Sequence, residues 1–225
     1  MTELSLMPNA LDEKMQQLIE RLKKFQILRQ DVRFDPILFH SFKQRIAGKM
    51  DVPSTTISKV MERLLFSISS SESVGNSIVL GSYCGYAMLW LAAGKYNSPS
   101  SFIHGFDINA DACQQAEHNM RVAGLQHATI INRNAYEAAD LYENDSVDLL
   151  FLDVENNGKS DYAPLLQQWM PKLATGAIVL AHDPLVSKFK NDFEAYHELV
   201  QQKDLFLSTL TLPIDECGVE ISICK

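Results

Sequence analysis

Residues whose types and spacing could act together in chemistry are spread along the middle of this chain. Gly81 and Gly85 bracket a tight turn in Leu80-Gly81-Ser82-Tyr83-Cys84-Gly85-Tyr86. A missing Cβ at both ends of such a turn lets backbone approach a ligand, as in nucleotide-binding strand-to-helix turns. Asp107 closes the next apolar run, 22 residues after Gly85, where an acidic side chain accepts both hydroxyls of a ribose. An adenosine-type ligand is the expectation. Asp153 ends a further apolar run, His182-Asp183 another, and Lys159 lies in the polar loop between them. Carboxylates, an imidazole and an amine gathered at strand ends are the material for holding a divalent ion or moving a proton.

The kind of adenosine ligand follows from what the turn lacks. A dinucleotide site asks for Gly-x-Gly-x-x-Gly, and here Tyr83, Cys84 and Tyr86 crowd the space a pyrophosphate needs. That weighs against a nicotinamide-linked oxidoreductase. A P-loop is excluded, since no Gly-Lys-Ser/Thr follows. S-adenosylmethionine carries no phosphate and suits a bulkier turn. The stretch 80–86 closely resembles motif I of class I, catechol O-methyltransferase-like methyltransferases.

The elements that must position these residues are legible as alternating apolar runs. Strands are predicted over 77–81, 101–107, 128–132, 147–152 and 177–181, each apolar as buried parallel strands are. A helix over 87–93 follows the turn, another runs over 110–122 and ends at Gly124, and a third covers 163–170. Two β-rich runs, 205–212 and 219–224, are joined by a short loop, so they form a hairpin and one strand must be antiparallel. Upstream, Leu11, Met15, Leu18, Ile19, Leu22 and Phe25 make one apolar stripe over 11–26, followed by a helical stretch over 37–46. Ser54 or Thr55 is the expected cap of a helix over 57–69. The fold class is α/β: a three-layer, doubly wound, mostly parallel Rossmann-like sheet with a C-terminal antiparallel hairpin and extra N-terminal helices. Seven strands are what the resemblance implies. The expected organisation is a helical extension over 1–50, for packing, dimer formation or capping the substrate mouth, and a cofactor-binding domain over 51–225.

The resemblance implies site residues. Gly81, Ser82, Tyr83, Gly85, Asp107, Ile108, Asn134, Ala135 and Asp153 match positions that contact S-adenosylmethionine, and Met50 and Val52 belong to the loop that lies over its methionine end. In the family the fifth strand ends in Asp-Asn, which with the fourth-strand Asp binds Mg²⁺. Here His182 and Asp183 stand in those places, giving Asp153, His182 and Asp183 as metal ligands. Mg²⁺ prefers all-oxygen ligands, whereas a His with two carboxylates suits Mn, Fe or Zn as well or better. A strand ending in His-Asp also resembles sugar and antibiotic O-methyltransferases, in which the His need not be a ligand. Lys159 matches the family's catalytic lysine across a longer loop, so the proton acceptor is either Lys159 or His182. Glu155 is a spare carboxylate of that loop.

Bulk composition narrows the partners. A net charge of −8 and no local Lys/Arg cluster argue against nucleic acid. The chain has 46% hydrophobic residues but no apolar run of membrane-spanning length and no basic-then-apolar leader. Its four cysteines lack Cys-x-x-Cys pairing, which fits a reduced, cytoplasmic protein. The expected activity is S-adenosylmethionine-dependent O-methyl transfer to a small hydroxylated molecule, assisted by a divalent metal (Mg or Mn), by a homodimer. The alternative is a methyltransferase fold that binds the cofactor without catalysis, as an interaction subunit.

Overall fold

The computed structural model describes residues 9–53, 56–96 and 101–225. Among these, seven strands form one sheet: β1 (Ser77–Leu80), β2 (Ile103–Asp107), β3 (Ala128–Asn132), β4 (Val147–Leu152), β5 (Leu173–His182), β6 (Phe206–Leu212) and β7 (Val219–Cys224). Their order is β3-β2-β1-β4-β5-β7-β6. The first five pair in parallel, and β7 runs antiparallel to both β5 and β6. The order reverses direction at β1, so the crevice beyond the carboxyl ends of β1 and β4 is where such a sheet takes its ligand.

Helices cover both faces of the sheet. One face carries α1 (Ala10–Lys24), α2 (Pro36–Ile46), α3 (Lys59–Ser70), α4 (Tyr86–Gly94) and α5 (Ala110–Ala123), and the other α6 (Tyr162–Trp169) and α7 (Glu194–Val200). In α4 six consecutive residues, Met88 to Ala93, are buried. A helix apolar all round must be covered all round; α4 lies under α2 and α3 as well as on the sheet. Phe39 of α2 stacks on Trp90 of α4 with centroids 4.8 Å apart. Burying a phenylalanine fully contributes about 1.5–3 kcal/mol.

The N-terminal helices are part of that layer. Met15, Ile19 and Leu22 join the core cluster that contains Leu64 and Leu89, while Phe25 stands 67% exposed. Met15, Ile19 and Leu22 of the α1 stripe are therefore buried within the chain. A buried ion pair fastens it: Arg63 Nε donates to Asp12 at 2.7 Å, and His40 Nε2 lies 2.7 Å from the other oxygen. Asn9 and Asp12 also form a capping box at the start of α1.

Three elements differ from their expected form. Positions 54 and 55 lie outside the described residues, and the side chain that caps α3 is Ser58, which accepts the Met61 N–H at 3.2 Å. Strand β5 begins at Leu173 rather than 177, passing through Gly176 in the left-handed region. Helix α7 has no side-chain cap and only seven residues, too little signal for the sequence to announce it. No helix of the described residues is long and apolar enough to cross a membrane.

Candidate active site

A cavity of about 640 Å³ opens beyond the carboxyl ends of β1, β2, β4 and β5. Gly81, Ser82, Tyr83, Asp107, Ile108, Asn134, Ala135, Asp153, His182 and Asp183 all line it. Met50, Val52, Gly85 and Lys159 do not. The loop before α3 reaches the cavity through Thr56 and Ile57 instead, because Asp51 is tied back to α5: its N–H donates to Asn119 at 3.0 Å and its carbonyl accepts from Gln115 and Asn119.

The two turn glycines serve the protein's own backbone. A Cβ at Gly81 would lie 2.5 Å from the Asp153 carbonyl oxygen, and one at Gly85 would lie 3.0 Å from Ala116 and Met120 of α5. Both have positive φ, 81° and 79°, which an L side chain adopts at a cost. They seat the β1–α4 turn against the end of β4 and against α5, and Gly81 also lines the cavity. Gly105 on β2, where a Cβ would meet Met88 and Ser82, belongs to the same close packing. That third glycine sits inside a strand, where nothing in the sequence signals it.

Asp107 organises the cofactor side. Its two carboxylate oxygens accept the Tyr83 N–H at 2.8 Å and the Asn109 N–H at 2.9 Å. A carboxylate offers about four acceptor sites, so two remain for a pair of vicinal hydroxyls. Tyr83 takes φ 44° to present that N–H. The residues thus fit an adenosyl group: an acidic strand end with spare lone pairs, beside the exposed side chain of Ile108 and beside Asn134.

On the opposite side four charged residues converge. Lys159 Nζ lies 2.9 Å from Asp153 Oδ1 and 2.9 Å from Asp183 Oδ2. His182 Nδ1 lies 3.3 Å from Asp153 Oδ1 and 3.4 Å from Asp183 Oδ1. Consecutive residues of a strand point to opposite faces. The chain leaves β5 through Asp183 at φ 70°, a left-handed conformation that brings the side chains of His182 and Asp183 to the same cluster, and the Asp183 N–H is held by the Gly218 carbonyl at 3.3 Å. Asp215 shapes that hairpin loop, accepting the N–H groups of Cys217 and Gly218 and the Ser58 hydroxyl.

Burial and charge set the protonation states. Burial pulls the Lys159 pKa down, but Asp153 and Asp183 outweigh it and the net shift is upward. The two carboxylates thus favour Lys159 as an ammonium. His182 is likewise lowered by burial and raised more by Asp153 and Asp183. For Asp153, burial raises the pKa and His182 and Lys159 lower it further than that, so it is ionised. The Cys217 thiol is pushed up to about 12 by burial, then by Asp183.

The donor set does not fit the expected Mg²⁺. Of Asp153, His182 and Asp183, one offers nitrogen where Mg²⁺ asks for oxygen, and both carboxylates are already paired with a buried ammonium. Unit charges 4 Å apart repel by about 4 kcal/mol at an effective dielectric of about 20, and a divalent ion by about twice that. His182, Asp183 and Cys217 do bring one ligand atom each within 4.8 Å of one another, yet Asp183 in that group is the same carboxylate that Lys159 holds.

Residues 78–184 match a family model described as a methyltransferase domain. The match covers the part of the chain that holds β1 to β5 and the cavity, and the seven-stranded sheet has the fold of solved methyltransferases. Solved structures share that fold over their whole length. A methyltransferase from Geobacter sulfurreducens is 22% identical with a TM-score of 0.61, covering 92% of this chain and 98% of its own. An SAH-bound methyltransferase of Podospora anserina is 14% identical with a TM-score of 0.67, covering 98% and 99%. The O-methyltransferase TomG of Streptomyces achromogenes, involved in tomaymycin synthesis and solved with SAM, is 14% identical with a TM-score of 0.65, covering all of both chains. No curated protein matches.

Proposed function

We propose that this protein is an S-adenosylmethionine-dependent O-methyltransferase acting on a small hydroxylated molecule of catechol, phenol or natural-product type, with His182 as the proton acceptor. The observation that carries the reading is one cavity walled on one side by Asp107 with its spare lone pairs and on the other by His182. The structural relatives named as bound to SAM or SAH support the choice of cofactor. We read residues 1–50 as a helical extension of a cofactor-binding domain spanning 51–225.

S-adenosylmethionine supplies a methyl group on a sulfonium; the C–S bond breaks as the acceptor's O–C bond forms, the electron pair going to sulfur. The chain's own residues do the rest. Asp107 holds the ribose hydroxyls and fixes where the methyl lies. Asp107, Asp153, Glu155, Asp161 and Asp183 line a cavity with one arginine, Arg133, a field that favours a cationic cofactor. His182 Nδ1 donates to Asp153, so Nε2 is the nitrogen left to take the acceptor's proton, the orientation logic of a carboxylate-held histidine base. Lys159 fixes both carboxylates and so the imidazole. Holding oxygen and methyl in line removes much of the entropic barrier.

Calorimetric titration with S-adenosylmethionine and with NAD tests the cofactor, and labelled methyl transfer to a panel of catechols, phenols and sugars tests the reaction. Heat from S-adenosylmethionine alone and label on an acceptor oxygen are expected. Heat from NAD alone would overturn the reading, and tight S-adenosylmethionine binding with no acceptor methylated would favour a non-catalytic cofactor-binding subunit.

A further inference from the structure

We infer that the Lys159 ammonium is the resident cation of this site, standing where a divalent ion was expected between Asp153 and Asp183, and that the protein works without a metal. The inference rests on the methyltransferase reading above and names how its acceptor side is held together.

Three observations carry it. The first is geometry: one nitrogen lies 2.9 Å from each of two carboxylates that come from different strand ends, β4 and β5. A single ammonium has three donors, enough to bridge both, and bridging anions from separate elements is what a metal would do here. The second is packing. Lys159 is fully buried, with Nζ 5.2 Å from the centre of the Tyr162 ring and 5.3 Å from that of Phe189. Its backbone is pinned as well, since its N–H donates to Asp192 at 3.0 Å and its carbonyl accepts from the Tyr162 N–H at 3.0 Å. A lysine fixed along its whole length cannot swing out to admit an ion. Charge balance is the third. The two carboxylates already share one buried ammonium, so a divalent ion between them would meet like charge at close range.

The long loop from Asp153 to Lys159 gains a purpose in this arrangement. It travels out and returns through Gly158, in the left-handed region at φ 57°, so that a residue six positions further along reaches back to its starting carboxylate. Lys159 does not line the cavity; it is a positioning residue, acting on the acceptor through Asp153, Asp183 and His182.

Mn²⁺ is the probe, because its electron paramagnetic resonance reports bound ion without any acceptor. The full-length protein, shown in the same preparation to bind S-adenosylmethionine by calorimetry, is titrated with Mn²⁺ to millimolar concentration. No stoichiometric binding is expected, and ion bound in a way that survives Asp183→Asn sits elsewhere and agrees with this. Lys159→Met frees two carboxylates and is expected to gain a Mn²⁺ site at least roughly tenfold tighter than any in the wild type, while Lys159→Arg gains none. Stoichiometric Mn²⁺ in the wild type that Asp183→Asn abolishes overturns the inference and leaves the cofactor reading intact. A folded Lys159→Met protein without a new site overturns it too. If that variant does not fold, the wild-type titration decides. Failure to bind S-adenosylmethionine is the separate signature of a wrong methyltransferase reading.

Discussion

A Cβ on Gly81 would stand 2.5 Å from the carbonyl oxygen of Asp153. The end of β1 and the end of β4 thus touch backbone to backbone at the point where the β1–α4 turn meets the cluster of Asp153, Lys159, His182 and Asp183. Position 81 couples the two halves of the site.

Gly81→Ala is expected to cost about 1–2 kcal/mol from the left-handed backbone alone, with the overlap against Asp153 in addition. Urea denaturation gives the stability, and a variant as stable as wild type would mean the turn is not seated on β4. S-adenosylmethionine affinity should fall in step, because the same turn carries the Tyr83 N–H that orients Asp107.

His182→Gln should lower turnover by roughly 10²–10⁴-fold, the usual worth of a general base, with S-adenosylmethionine affinity unchanged. Turnover by the variant at the wild-type rate would remove His182 from the chemistry.

Much of this was readable in advance because the strands are written as short runs rich in apolar and β-branched residues, unbroken in β4, which is buried along nearly its whole length. β3, β4 and β7 have the bounds their sequences suggest, and β2 ends on Asp107 as expected. Asp107, Asp153, His182 and Asp183 were legible for the same reason, since a polar residue ending an apolar run sits at a strand's carboxyl end. Lys159 was visible as a residue but not as a role: whether a loop lysine faces solvent or returns to its own carboxylate depends on the path through Gly158 and on Tyr162 and Phe189, contacts with no short-range signal. That Met50 and Val52 stand off the cavity was not readable, because the hydrogen bonds that hold Asp51 come from α5, far along the chain. Cys217 reaches the cavity only through the hairpin loop that Asp215 shapes.

Acid should weaken the fold in a defined window. Burial lowers the pKa of His104 and of His127 in the folded protein, so the unfolded chain binds these protons first. Their contribution to stability is complete above about pH 6.5 and is lost as the pH falls below it. His182, raised in the fold, acts in the opposite sense and above that window: its contribution is present below about pH 6.5 and lost as the pH rises through its folded pKa. Urea midpoints measured from pH 7 down to pH 5, in units of about 0.5, should fall, and less steeply in His104→Gln. An equal fall in that variant would exclude His104 as a source.

Arg63→Ala should destabilise by about 1.5–3 kcal/mol, since the buried Asp12 carboxylate loses its guanidinium and keeps only His40 and the Asn9 N–H. Thermal unfolding reads this directly, and a loss below about 1 kcal/mol would show that α1 is not fastened through this pair.

The most direct test of the account is the calorimetric titration of S-adenosylmethionine into wild-type protein and into Asp107→Ala. One site per chain is expected for the wild type, weakened roughly tenfold or more in the variant, because the ribose hydroxyls lose a charged acceptor worth about 1.5–3 kcal/mol. Absence of heat with the wild type, or the same affinity in both proteins, would contradict a cofactor held by Asp107 at the end of β2.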